Sequence, residues 1–262
     1  MLETANYRAA PMSNKVPEAT LVFWAIKIMA TTVGETGADY LAVHVGLGTA
    51  LTGAMMATLL VVALVAQLRV RKYVPWIYWL TVVLVSVVGT QLTDALTDKL
   101  GVSLYASTIA FSLALAVVFA LWYRSERTLS IHTIYTTRRE LFYWGAVLFT
   151  FALGTAAGDL ATEALGLGFM IGVVAFSALI ALVAAFYYAG VNPVLTFWLA
   201  YILTRPLGAS FGDLLSQSRT YGGIGLGTIN TSLLFLGAIT ALVIFASAVE
   251  QRTVSAPAVR EP

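Results

Sequence analysis

The chain has 262 residues, 11% charged and 59% hydrophobic, with a net charge of +2 and a mean hydropathy of +0.85. Soluble domains carry about 25% charged residues, so water is the wrong solvent for most of this surface. The lack of cysteine excludes disulfides, thiolate metal sites and cysteine nucleophiles, and the small, dispersed positive charge reads as topology signal rather than nucleic-acid binding.

The first 19 residues are polar and do not read as a cleaved secretory signal. Crossing the hydrocarbon of a bilayer takes roughly 20 apolar residues. Hydrophobic segments at 20–38, 45–68, 73–93, 100–123, 141–158 and 220–249 meet that length. The uncharged run 164–204 is too long for one span and divides at Ala189-Gly190-Val191-Asn192-Pro193, a turn signature. Eight spans result. With the N-terminus inside, Arg8, Lys15, Arg69, Arg71, Lys72, Arg124, Arg127, Arg138, Arg139, Arg252 and Arg260 are cytoplasmic, against Lys99 and Arg219 outside. That bias orients the chain with both termini cytoplasmic. All six tryptophans then fall near the cytoplasmic interface, where an amphipathic ring is comfortable.

Four times a tryptophan is followed ten residues later by glycine and five after that by aspartate: Trp24–Gly34–Asp39, Trp79–Gly89–Asp94, Trp144–Gly154–Asp159 and Trp198–Gly208–Asp213. The predicted fold is an all-α integral membrane protein of eight transmembrane helices, one domain over 1–262. Its helices form four parallel helical-hairpin repeats (16–72, 73–127, 138–190 and 191–249) with pseudo-symmetry about the membrane normal. The stretch 124–138 is a cytoplasmic connector, and 250–262 is expected to be a disordered tail. Odd-numbered helices carry the motif and are expected at the centre, with the more uniformly apolar even helices outside.

On an ideal helix the positions 7, 11 and 15 residues after each Trp share its stripe. They read Thr31, Glu35, Asp39 in the first repeat and Ser86, Thr90, Asp94 in the second. The third gives Phe151, Thr155, Asp159, and the fourth Arg205, Ala209, Asp213. Beside them lie small residues four apart (Gly34/Ala38, Gly89/Thr93, Gly154/Gly158, Gly208/Gly212), a spacing that lets transmembrane backbones approach. Close packing through these faces gathers the acids, and like charges then need a cation or a retained proton. The alternative reading puts each Asp about 22 Å above its Trp by helical rise, in the headgroup zone, as a turn or cap residue. For Asp39 the functional reading is favoured, since Glu35 lies one turn below it. Asp98 and Glu163 read as solvated loop charges, Lys27 as snorkelling to the cytoplasmic interface, and His44 and His132 as surface residues.

Arg205 falls near mid-membrane and must have a partner, for which Glu35 or an aspartate is the candidate. Pro206 follows it directly, which predicts a kink or opening in the seventh helix. A broken helix beside an intramembrane charge is a recurrent substrate-site device.

The opening Val16-Pro17-Glu18-Ala19-Thr20 through Phe23-Trp24, then Thr31-Thr32-Val33-Gly34-Glu35-Thr36 and Ala38-Asp39, resembles a family of uncharacterised bacterial membrane-anchored proteins built from four tandem copies of a two-helix repeat. The resemblance spans residues 16–248. It implies the fold, but brings no settled activity.

The expected function is a secondary transporter of a divalent, Mn²⁺-like cation coupled to protons, in the bacterial inner membrane. Glu35, Asp39, Asp94, Asp159 and Asp213 would be the ion and metal ligands, with Arg205, Thr31, Thr90 and Thr155 completing the site. Uptake of a small organic ion is the related alternative, since Arg205 and Lys27 could meet a carboxylate. The contrasting one is a non-transporting sensor, assembly partner or scaffold with a dry centre. An enzyme is not expected, nor a cofactor beyond a bound cation. The expected partners are the lipid bilayer and the small ion or molecule; a homo-oligomer is compatible with this reading.

Overall fold

The computed structural model of the protein describes residues 13–40 and 48–255, without the side chains of 38–39, 48–49 and 249–255. These residues form eight long helices: α1 (Leu21–Asp39), α2 (Gly48–Arg69), α3 (Pro75–Asp94), α4 (Leu104–Glu126), α5 (Thr137–Asp159), α6 (Gly168–Tyr188), α7 (Pro193–Ser216) and α8 (Thr228–Ser255). Starts follow local chemistry. Thr20, Ser103 and Thr136 accept hydrogen bonds from the amides of Phe23, Ala106 and Arg139, Asn192 caps α7, and Pro75 and Pro193 occupy the first turns of α3 and α7. α3 and α5 each run on into a π-helical turn, Ala95–Lys99 and Leu160–Ala164. Gly101 and Gly166, just beyond them, take the positive φ angles (65° and 68°) that let the chain reverse.

Seven helices, α2 to α8, are long and apolar enough to cross a membrane. α1, expected as a span, carries Lys27 and Glu35 within its length, and is enclosed by α3, α7 and α8. In the most apolar stretches of α3, α5 and α7, 50–67% of residues are buried, against 11–22% in α2, α4, α6 and α8. The odd helices are therefore the centre and the even ones the rim. α8 reaches Ser255, past residue 250 where the tail was expected to begin; 256–262 lie outside the described residues.

The centre is a closed ring. α1 packs on α3, α3 on α5, α5 on α7, and α7 back on α1. One contact repeats around it. A Cβ on Gly34 would strike Ser86, one on Gly89 would lie 2.7 Å from Phe151 Cβ, one on Gly154 2.5 Å from Arg205 Cβ, and one on Gly208 would strike Thr31. The motif glycine of each repeat thus receives the residue seven after the tryptophan of the next, and all four received residues are fully buried. Hydroxyls tie the same seams: Thr32 donates to the Gly208 carbonyl and Thr93 to the Ala152 carbonyl, each at 3.0 Å.

The even helices correct the hairpin picture. α2 leans on α3, α4 on α5, α6 on α7, and α8 on α1. Each rim helix thus covers the central helix of the following repeat. An isolated two-helix unit would leave its central face bare, so stability requires the whole cycle.

At the tryptophan end, the aromatic residue before each Trp packs on the Trp of the next repeat. Phe23 meets Trp79 at 5.5 Å between ring centroids, Tyr78 meets Trp144 at 5.5 Å, Tyr143 meets Trp198 at 6.2 Å, and Phe197 meets Trp24 at 5.5 Å. Such contacts add to the large apolar burial of each ring. The Tyr78 and Tyr143 hydroxyls bond each other at 2.5 Å.

Candidate functional site

At the aspartate end the ring opens into a cavity of about 240 Å³. Glu35, Asp94, Asp159 and Asp213 line it, one acid from each repeat, together with Asp98 and Glu163. The first four are expected site residues, brought together by the glycine seams that draw the odd helices close. Asp98 and Glu163 correct the sequence reading. They are exposed but ride the π-helical turns after Asp94 and Asp159, which carry them onto the cavity wall. π-turns recur at functional sites. Asp39 ends α1, but its side chain lies outside the described residues, as does His44.

Arg205 crosses beneath the cavity. It is fully buried, and Nη2 donates to Glu35 Oε2 at 2.5 Å and to the Thr90 hydroxyl. α7 is thereby joined to α1 and α3. The remaining Nε and Nη1 have no acceptor among the described residues. Low surrounding dielectric strengthens the ion pair and makes unpaired donors expensive.

α7 is helical without interruption through Pro206, so the expected opening is absent. The ring of Pro206 packs under Gly154 and Gly158. Thr31 and Thr32 of α1 donate to the carbonyls of Thr204 and Gly208, at 3.3 and 3.0 Å. These bonds tie α1 to α7 on either side of the proline.

Lys27 departs most from its sequence reading. It is 1% exposed. Its ammonium lies 3.9 Å from the centroid of the Phe151 ring and 4.3 Å from that of Tyr201, with no hydrogen-bond acceptor among the described residues. It cannot snorkel because α1 is central and the aromatic layer closes the route to the tryptophan end. Cation–π attraction offsets part of its desolvation.

Of the three expected threonines, only Thr90 joins the charged group. Thr31 is turned to the α7 backbone, and Thr155 donates to the Phe151 carbonyl of its own helix. No three His, Cys, Asp or Glu side chains among the described residues stand together so as to hold a metal ion. The acids surround a space rather than converge on a point.

The model of a family described as Repeat of Unknown Function (DUF347) matches four times, over residues 22–73, 77–128, 142–190 and 196–252. Those boundaries follow the helix pairs α1–α2, α3–α4, α5–α6 and α7–α8. No curated protein and no solved structure matches the chain.

Proposed function

We propose that this chain, which belongs to the DUF347 repeat family, is a proton-coupled secondary transporter of a small cation. The observation that carries the reading is the arrival of one carboxylate from each repeat at a single cavity, one of them, Glu35, paired with the buried Arg205. A cluster of acids at one mouth lowers the energy of an entering positive charge. In the empty site Arg205 serves as the counter-ion that keeps Glu35 balanced. A cation reaching Glu35 competes with Arg205 for it, and protons compete for the same carboxylates, which couples the two gradients. The Lys and Arg bias of the connecting segments supports a cytoplasmic tryptophan end, with the cavity on the outer side of a bacterial inner membrane.

The first cargo to test is a divalent metal of the Mn²⁺ kind, for which hard oxygen ligands are suited. A second cargo class is a small organic cation, which needs a lined space rather than a coordination shell; the acids on the cavity wall offer such a space. A scaffold would have no use for an acid-lined opening above a buried arginine.

Purified protein in proteoliposomes is assayed for flux of Mn²⁺, Mg²⁺, tetramethylammonium and protons, beside Glu35→Gln and Asp159→Asn. Transport of one of these cations with counterflow of protons, lost in Glu35→Gln, is the expected result. Unaltered flux in both variants would remove the site, and no flux of any cation in the parent protein would remove the transport class.

A further inference from the structure

The tryptophan end holds a second buried ion pair, one that the fourfold pattern does not contain. Lys15 precedes α1 and is fully buried. Its ammonium donates to the carbonyls of Gln67 (3.0 Å) and Leu68 (3.3 Å) at the end of α2, and to Glu140 Oε2 in the first turn of α5. Gln67 Nε2 donates to the other Glu140 oxygen at 3.1 Å. The backbone around Lys15 is tied down as well. Ser13 N–H donates to Arg71 O, Lys15 N–H to Ile134 O, and Ile134 N–H to Asn14 Oδ1, each at 3.1 Å. Val16, Ile131 and Ile134 are buried beside it. Residues 13–16 thus form a strap joining the first repeat, the connector and the third repeat.

Three features set the strap apart from ordinary packing. It belongs to no helix, so it can leave without unwinding one. It lies at the end opposite the open cavity, beyond the aromatic layer. Its hold is a desolvated ion pair. Such a pair contributes little net stability compared with apolar packing, yet any misplacement leaves a bare buried charge. Contacts of that kind hold in one geometry and release sharply, which suits one of two discrete arrangements.

We propose that Lys15, Gln67 and Glu140 form the releasable gate of the tryptophan end, with residues 13–16 as its strap. This rests on the transport reading, since a carrier open at one mouth must be sealed at the other and must be able to exchange the two. The Glu35–Arg205 pair and the Lys15–Glu140 pair are then the two latches of one cycle. The first is released by cargo arriving at the aspartate end. The second is released when the four central helices tilt and draw Glu140 away from the end of α2.

The chain has no cysteine, so one introduced thiol reports without background. Val82 is fully buried on α3, between the aromatic layer and the level of Arg205. Val82→Cys is challenged with a membrane-impermeant maleimide in right-side-out and in inverted vesicles. With the native latch it is expected to react slowly from both sides. Adding Lys15→Met or Glu140→Gln should raise the rate about tenfold or more, in the orientation that presents the tryptophan end only. Combining Lys15→Met with Glu140→Leu, which replaces the pair by apolar packing, should restore protection. An unchanged rate in both single variants overturns the proposal, as does an equal rise from both sides, which signals a loosened bundle.

Amide hydrogen exchange on the unaltered protein keeps the test open should those variants fail to fold. The Lys15 and Ile134 amides should exchange together, and about tenfold or more faster than that of Val147 in the α5 core. Equal protection overturns the gate. Neither readout requires cargo, so failure of the flux experiment and failure of the gate are separate results.

Discussion

Arg205 Nη2 lies 2.5 Å from Glu35 Oε2, and this one contact joins the last repeat to the first beneath the acid-lined cavity. Arg205 is fully buried, while the Glu35 side chain keeps 12% exposure. The arginine therefore depends on the glutamate more than the reverse. Glu35→Gln should destabilise the protein by about 3 kcal/mol or more, because it leaves an uncompensated buried guanidinium. Arg205→Gln combined with Glu35→Gln should recover most of that loss, giving a coupling energy of about 2 kcal/mol in a double-mutant cycle. Unfolding in mixed micelles measures it. Additive effects of the two substitutions would show that the pair contributes nothing as a pair.

The glycine seam makes a second, sharper expectation. A Cβ at Gly154 meets the Cβ and Cγ of Arg205 at 2.5 and 2.6 Å and Pro206 Cδ at 3.1 Å, whereas one at Gly145 meets only Val118 at 3.9 Å. The obstacle at Gly154 is the root of a buried side chain beside a proline ring, and neither can move aside easily. Gly154→Ala should cost about 1–3 kcal/mol. Gly145→Ala, on the same helix, should gain up to ~1 kcal/mol from helix propensity. Thermal unfolding of the two variants should shift in opposite directions. Parallel shifts would mean that α5 and α7 do not meet through Gly154.

Lys27 offers the third. Its ammonium has ring faces but no acceptor among the described residues, so methionine, of similar length and apolar throughout, should be better tolerated than lysine. Lys27→Met is expected to stabilise the fold by about 1–3 kcal/mol, the desolvation cost of the charge outweighing the lost cation–π contact. A lower thermal midpoint in Lys27→Met would show that the ammonium holds an acceptor that the fold depends on. Cation flux should change at the same time, since one of the two buried charges below the cavity is gone.

Much of this architecture was legible because it is periodic. The Trp–Gly–Asp spacing places glycine, the seventh residue and the acid on related faces of each odd helix whatever their surroundings. The structure puts the motif acids Asp94, Asp159 and Asp213 on one cavity, with Glu35 from the first repeat, one turn before the motif's Asp39, whose side chain lies outside the described residues. An aromatic residue precedes each tryptophan (Phe23, Tyr78, Tyr143, Phe197) just as regularly, but only the ring contacts of the structure reveal the layer it forms at the tryptophan end. Glu140, four residues before Trp144 and so on the same helical face, was the available sign of a buried charge at that end. Its partner Lys15 lies outside every repeat, and no spacing points to it.

The sequence by itself determined the number of long helices and offered a central place for the odd ones and a gathering of their acids as one of two readings, because apolar length and helical periodicity act within each segment. Only the tertiary structure decided which neighbour each face meets. It leaned every rim helix on the following repeat, turned Lys27 inward onto Phe151 and Tyr201, aimed Arg205 at Glu35 and Thr90, and carried Asp98 and Glu163 to the cavity wall. The reason is that a helix turns side chains about its own axis by a fixed rule, while the order of helices around a ring follows from close packing among all eight at once.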